Sequence, residues 1–262
     1  MNNLILTGRV FFAIAIIGLG ATHFIFLDFT TGRAPSWPDS FPGKLIWSYL
    51  TGIFFILVGI SVIVREKTRV MLFSAAVLIF VWALLRHIPF LMESSITSSE
   101  WSHAWKALWL ITGSLAVSAT YPNISNSSNR QIIKFMNYRN LFIIAAAVCL
   151  GSFMFRNGIQ HFMFAEGIAT LIPSWFPGDT VKWTYFGGIS LVAGGLGLFI
   201  PKTMYWASLM SGIMIFSWFW IIHIPRTFTS VSDGIAVFEA LGAAGILFVI
   251  SGFFFEQNQP DQ

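Results

Sequence analysis

The chain has 262 residues, of which 56% are hydrophobic and only 10% are charged, and its formal net charge is +4. A soluble protein of this size needs far more charge on its surface, so the composition excludes a soluble globular domain. The positive charge does not indicate nucleic acid as a partner, because basic residues beside a membrane favour anionic lipid.

Apolar runs of about 18 or more residues are typical of transmembrane helices. In chain order the sequence contains eight, at 10–27, 45–64, 70–92, 104–121, 140–164, 183–200, 203–225 and 235–255. The first run resembles a signal peptide in its basic residue and short apolar core. It aligns, however, with the mid-chain run 140–164, so we interpret it as a mature helix. The predicted fold class is all-α, a polytopic membrane protein with eight transmembrane helices in a lipid bilayer.

The second half of the chain repeats the first at an offset of 136 residues. The matched motifs, first copy before second, are Gly20-Ala-Thr-His23-Phe24 with Gly158-Ile-Gln-His161-Phe162, Trp47-Ser-Tyr49 with Trp183-Thr-Tyr185, and His87-Ile-Pro89 with His223-Ile-Pro225. A period this long indicates a duplicated domain. We predict a first four-helix repeat over 1–121, a cytoplasmic linker over 122–139 and a second repeat over 140–257. An even number of helices in each repeat makes the two repeats parallel.

The basic residues indicate the orientation of these helices. One side of the predicted membrane carries Arg9, Arg65, Lys67, Arg69, Arg130, Lys134, Arg139 and Lys202, whereas most acidic residues fall on the other side. Cytoplasmic loops are rich in Lys and Arg, so we expect both termini to lie in the cytoplasm. The one cysteine, Cys149, excludes a thiol oxidoreductase that needs an exchangeable pair of thiols within this chain.

The repeated pattern resembles the DoxX/DoxD-like membrane proteins. In that family a His-Phe pair closes the first helix, a Pro-rich aromatic loop follows, and the second helix carries glycines. The corresponding residues are His23-Phe24, Pro35 to Pro42 and Gly52/Gly59, and again His161-Phe162, Pro173 to Pro177 and Gly188/Gly195. The resemblance covers nearly the whole chain as two four-helix units. It implies a bacterial inner-membrane protein, with quinone-coupled sulfur oxidation or the assembly of redox enzymes as the activities associated with some members.

Four histidines occupy matched positions at the outer ends of the first and third predicted helices: His23 and His87, then His161 and His223. Polar residues at membrane depth are candidate functional groups. Three interpretations are open: interhelical hydrogen-bond clamps, a site for a quinone or another small apolar or anionic ligand, and, less favoured, ligation of haem or a metal.

Three arginines lie near these histidines, namely Arg86, Arg156 and Arg226. The apolar stems of Arg86 and Arg226 could simply extend to the interface, but Arg156 lies deeper and needs an anionic or carbonyl partner, with Glu239 as one candidate. We expect His161, Arg156, Trp175 and His223 to converge in the second half, and His23, Trp37 and His87 in the first. Because each Pro-Trp loop is short, its tryptophan should cap its own pocket, and Arg156 should make the second pocket the more polar.

Two classes of function follow from this sequence. The first is a DoxX-like membrane subunit coupled to quinone redox chemistry, with a redox partner protein. The second is a non-enzymatic transporter, chaperone or scaffold. A transporter with parallel repeats is the less favoured of these, because no pair of broken midplane helices is evident.

Overall fold

The computed structural model describes residues 3–30, 33–35, 37–38, 42–121, 138–230 and 233–257. Within these ranges the ordered elements are helices and no strand occurs. The all-α fold class predicted from the apolar runs is therefore confirmed. Most of the predicted linker, 122–137, lies outside the described residues.

The first half contains four long helices: α1 (Asn3–Phe26), α2 (Lys44–Val64), α3 (Thr68–Glu93) and α4 (Ser99–Ser118). Each covers one of the predicted apolar runs, which lack the helix-breaking residues that fill the loops between them. Adjacent helices are antiparallel. We call the end of the bundle where α1 and α3 terminate the histidine end, and the opposite end the basic end.

The second half begins with one long helix, α5, and a short helix, α6, before three further long segments. The third of these, α8, passes through a π-helical turn into the short helix α9. The bounds are α5 (Arg139–Met163), α6 (Ala165–Ala169), α7 (Thr180–Gly197), α8 (Met204–Trp218), the π-helical segment Phe219–His223, α9 (Ile224–Arg226) and α10 (Asp233–Gln257).

Six segments of the described chain are long and apolar enough to cross a membrane. They are α1, α2, α3, α5, the continuous stretch Met204–Arg226 and α10. Their outward faces carry large exposed apolar side chains, such as Ile46, Leu85 and Phe186, which suit contact with lipid. The helices α4 and α7 are not among these six, so eight spans remain a prediction.

The two halves interlock through their first and last helices. Helix α1 packs against both α2 and α10, and α5 packs against both α4 and α7. Helix α10 lies at the centre, where every residue from Glu239 to Phe253 is buried. A helix that is apolar all round is suited to such a position.

Paired glycines allow the closest of these helix contacts. A Cβ atom built on Gly245 would lie 2.8 Å from the carbonyl oxygen of Gly8, across the α1–α10 contact. A Cβ on Gly52 would lie 2.8 Å from the carbonyl oxygen of Gly20, across the α1–α2 contact. Small residues at helix interfaces are the usual means of close packing in membranes, where burial of apolar surface supplies little attraction between helices.

The third helices of the two halves differ at their histidine ends. Helix α3 continues as an α-helix through His87 and Pro89, whereas His223 closes a five-residue π-helical segment just before Pro225. A π-helical turn adds a residue to one turn of the helix and rotates the residues that follow. The two histidines match in sequence but therefore not in local backbone geometry.

Candidate functional site

A buried aromatic cluster fills the histidine end of the first half, with Phe29 at its centre. The Phe29 ring stacks on Trp37 at a centroid distance of 5.1 Å and lies 4.7 Å from Trp82 and 6.0 Å from His23. Phe29 is 7% exposed and Trp37 is 8% exposed. The loop after α1 thus folds back over its own helices, and Trp37 covers the histidine as expected. Phe29 and Trp82 are members of this cluster that the sequence analysis did not assign to the site.

His23 is fully buried within this cluster. Its Nδ1 atom lies 2.7 Å from the carbonyl oxygen of Leu19 and 3.1 Å from the hydroxyl of Thr30. A protonated Nδ1 donates to the Leu19 carbonyl, which leaves Nε2 as a hydrogen-bond acceptor. That Nε2 atom is buried and has no hydrogen-bonding partner among the described residues. His23 therefore presents an unused polar atom inside the bundle.

Arg86 is the most unusual residue of the cluster. It is only 5% exposed, and its guanidinium carbon lies 5.1 Å from the Phe29 ring centroid and 5.4 Å from that of Trp37. None of its three guanidinium nitrogens has a hydrogen-bonding partner in the part of the chain that the structure describes, and the same is true of the buried Trp82 Nε1. The aromatic faces offset part of the charge, but a buried guanidinium without an acceptor is costly. The arrangement is suited to an incoming carbonyl or anionic group.

His87 lies beside a small cavity under the same cluster. The cavity has a volume of about 10 Å³ and is lined by Phe29, Ala34, Thr51, Phe55, Ile79, Trp82, Ala83, His87 and Ala107. That volume corresponds to about one water molecule. The first half therefore gathers His23, Trp37, Arg86 and His87 around Phe29.

Arg156 of the second half has protein partners of its own. It donates to Ser102 Oγ at 2.5 Å and to the carbonyl oxygens of Ile96 and Ser98 at 2.9 and 3.0 Å. All three acceptors belong to the start of α4 or the loop before it, so Arg156 joins the two halves. The expectation that Glu239 supplies its partner is wrong. Arg86 of the first half, and not Arg156, is the arginine left without hydrogen bonds.

The other predicted residues of the second half are placed differently from their counterparts. The Nδ1 atom of His161 lies 2.7 Å from the Asn157 carbonyl oxygen, and its ring stacks on Trp218 at 6.3 Å. Trp175 is 61% exposed, and its ring contacts Phe176. Trp175 does not cap a buried pocket as Trp37 does, because the chain between His161 and Trp175 forms the extra helix α6.

His223 and Arg226 lie at the transition from the π-helical segment to α9. Arg226 forms an ion pair with Asp233, with an N–O distance of 2.9 Å, and His223 is half-buried. Arg226 is thereby tied to the start of α10. Among the described residues, no group of three or more His, Cys, Asp and Glu side chains is placed to hold a metal ion.

A buried ion cluster that the sequence analysis missed connects the halves near these sites. Glu239 Oε2 lies 2.6 Å from Lys106 Nζ and 3.3 Å from Arg33 Nε. Glu239 is 5% exposed, and its other oxygen, Oε1, is buried without a partner in the described ranges. The cluster links α10 to α4 and to the loop after α1. A lysine inside the apolar run 104–121 was the one signal in the sequence that could have indicated it.

Comparison with known proteins adds one partial match. A family model described as a domain of unknown function, DUF8561, matches residues 150–247. This segment begins within α5 and ends within α10, so it falls in the second half. No curated protein and no solved structure matches the chain.

Proposed function

We propose that the protein is a DoxX-like inner-membrane protein whose first half holds the polar headgroup of a small quinone-type ligand, as a subunit in quinone-coupled redox chemistry. The single observation that carries this proposal is Arg86, a buried guanidinium with three nitrogens that lack hydrogen bonds. A carbonyl or anionic oxygen is the group that such a site lacks.

The same site has the other features of a headgroup pocket. Trp82 Nε1 is a second unused donor and His23 Nε2 an unused acceptor, and the rings of Phe29 and Trp37 offer stacking surfaces. A few convergent polar groups in an apolar surrounding are typical of small-molecule sites. The cavity has room for about one water molecule, so the surrounding side chains have to move apart when a ring enters.

The duplicated eight-helix layout is part of this proposal. The helices α1, α2 and α3 begin at Asn3, Lys44 and Thr68, and α5, α7 and α8 begin 136 residues later, at Arg139, Thr180 and Met204. The packing of α1 on α10 has a counterpart in that of α5 on α4. Both observations support two four-helix units, with α4 and α7 as the seventh and eighth spans.

The orientation that we propose places both termini in the cytoplasm and the histidine end outside. The basic residues Arg65, Lys67 and Arg69 at the turn between α2 and α3, and Arg139 at the start of α5, support it. The headgroup site then lies near the outer surface of the membrane.

Quenching of tryptophan fluorescence tests the site, because Trp37 and Trp82 lie within it. A short-chain benzoquinone and a small aromatic carboxylate are titrated separately into the purified protein in nanodiscs. Arg86→Gln should weaken the ligand that binds by tenfold or more, because a hydrogen bond to a charged group contributes about 1.5–3 kcal/mol. Arg226→Gln is the matched control, since Arg226 already has Asp233 as its partner.

The two probes separate the chemical alternatives. Saturable binding of the quinone that depends on Arg86 supports the proposal, whereas binding of the carboxylate alone assigns the site to an anion. Equal quinone affinities in wild type, Arg86→Gln and Arg226→Gln would contradict the proposed site. Thermal unfolding of each variant checks that the fold is intact.

A further inference from the structure

An apolar groove runs along the outer side of the seam between α2 and α3. It has a volume of about 490 Å³ and is lined by Phe54, Phe73, Ser74, Val77, Leu78 and Val81. Val77 and Val81 are 48% and 42% exposed, so the groove opens towards the bilayer. Its volume falls within the range of small-molecule pockets.

The groove and the headgroup cavity lie on opposite sides of the same seam. The cavity is lined from inside by Phe55, Ile79 and Trp82, and each of these residues is adjacent in sequence to a residue of the groove. Successive residues of a helix point in directions about 100° apart, so Ile79 faces the core while Leu78 faces outward between the helices. Only the thickness of the seam separates the two spaces.

The groove also extends in the direction that a long ligand would need. Along α3 the headgroup site lies at Trp82 and Arg86, and the groove continues from Val81 to Phe73 towards the basic end. Those eight residues correspond to roughly 12 Å at 1.5 Å per residue. A chain attached to a headgroup at Trp82 would therefore follow α3 towards the membrane interior.

We infer that the ligand is an amphiphile whose prenyl-type apolar chain occupies this groove, and that it enters sideways from the bilayer through the α2–α3 seam. This inference rests on the proposed function, since it takes the Arg86 site as the place of the headgroup. The water-facing side of that site is covered by the buried rings of Phe29 and Trp37, whereas the groove is open to lipid. Continuity with the cavity sets this groove apart from the general apolar surface of the helices.

The test compares two quinone probes that share a ring, one without a chain and one with a prenyl chain. Both are titrated by tryptophan fluorescence in nanodiscs of one lipid composition. Val77→Trp fills the groove at a position that faces lipid, and Ser74→Phe fills it one turn away. Ile213→Trp is the matched control, because Ile213 lies 136 residues after Val77 on α8 and is 46% exposed.

We expect Val77→Trp and Ser74→Phe to weaken the prenyl probe by tenfold or more and to change the affinity of the chainless probe by less than twofold. Ile213→Trp should leave both affinities unchanged. If the variants bind the prenyl probe as wild type does, or lose both probes equally, the groove does not hold the chain. The Arg86 site would still stand in the first of these cases, as long as the chainless probe binds. Failure of the chainless probe to bind to wild type would overturn the proposed function itself.

Discussion

The ion cluster between the halves makes a sharp prediction about stability. Lys106→Met removes the cation that lies 2.6 Å from Glu239 Oε2 and leaves a carboxylate that is 5% exposed with Arg33 as its remaining cation. Removal of one partner from a buried ion pair typically costs about 3–5 kcal/mol, because the other charge remains out of water. For a domain of 150–250 residues, a loss of that size corresponds to a fall in Tm of roughly 6–20 °C.

The double variant Lys106→Met/Glu239→Met distinguishes an orphaned charge from a loss of packing. It removes both charges, and Arg33, whose side chain is 26% exposed, can then turn towards water. Apolar residues of similar volume often replace a buried pair without loss of stability. The double variant should therefore be more stable than Lys106→Met alone.

A solvent-exposed ion pair of the same chain provides the control. Arg139 and Glu256 lie 3.1 Å apart, with side chains that are 44% and 39% exposed, so Arg139→Met should cost about 0–1 kcal/mol. Thermal unfolding in one detergent, monitored by circular dichroism, compares the four proteins. A loss for Lys106→Met no larger than that for Arg139→Met, or a double variant less stable than the single one, would refute the reasoning.

Three further predictions concern packing, the contact between the halves and topology. Gly245→Ala should lower the Tm, because the added Cβ would lie 2.8 Å from the Gly8 carbonyl, whereas Gly234→Ala, with nothing within 4 Å of its Cβ, should not; equal Tm values would show that α1 and α10 separate easily. Arg156→Leu should cost about 1.5–3 kcal/mol or more, because three acceptors at the start of α4 lose their charged donor; an unchanged Tm in thermal unfolding would count against this contact. A cysteine at Ser127, which lies outside the described residues, should be protected from an impermeant thiol reagent in intact Cys149→Ser cells, and its labelling would reverse the proposed orientation.

Local sequence pattern was enough to predict the helices. Apolar runs determine where a chain can cross a bilayer, and the runs at 45–64 and 70–92 coincide almost residue for residue with α2 and α3. The gathering of His23 and Trp37 could also be predicted, because only a short loop separates them. In that part of the site, sequence separation and spatial separation agree.

Contacts between the halves could not be predicted in this way. Glu239 meets Lys106 and Arg33 across separations of 133 and 206 residues, and nothing local to any of them indicates the other two. Arg156 was predicted to need a carbonyl or anionic partner, but its acceptors lie 54 to 60 residues earlier. These pairings depend on how α4 and α10 pack in the centre of the bundle.

The duplication misled the expectation for the second half. Pro35-Ser-Trp37 and Pro173-Ser-Trp175 have the same sequence, yet Trp37 is 8% exposed and Trp175 is 61% exposed. The two loops differ in the residues before the motif, which form α6 in the second half. A repeated motif preserves the residue types but does not ensure that they reach equivalent positions.

Mass spectrometry of small molecules extracted from the protein tests the central claim most directly. Wild type and Arg86→Leu are purified from native membranes in the same mild detergent, with Arg226→Leu as the control. We expect wild type and Arg226→Leu to carry a carbonyl-bearing prenyl amphiphile in near-stoichiometric amount, and Arg86→Leu to have lost most of it. Absence of such a molecule from wild type, or equal amounts in wild type and Arg86→Leu, would contradict the claim that Arg86 holds a ligand headgroup.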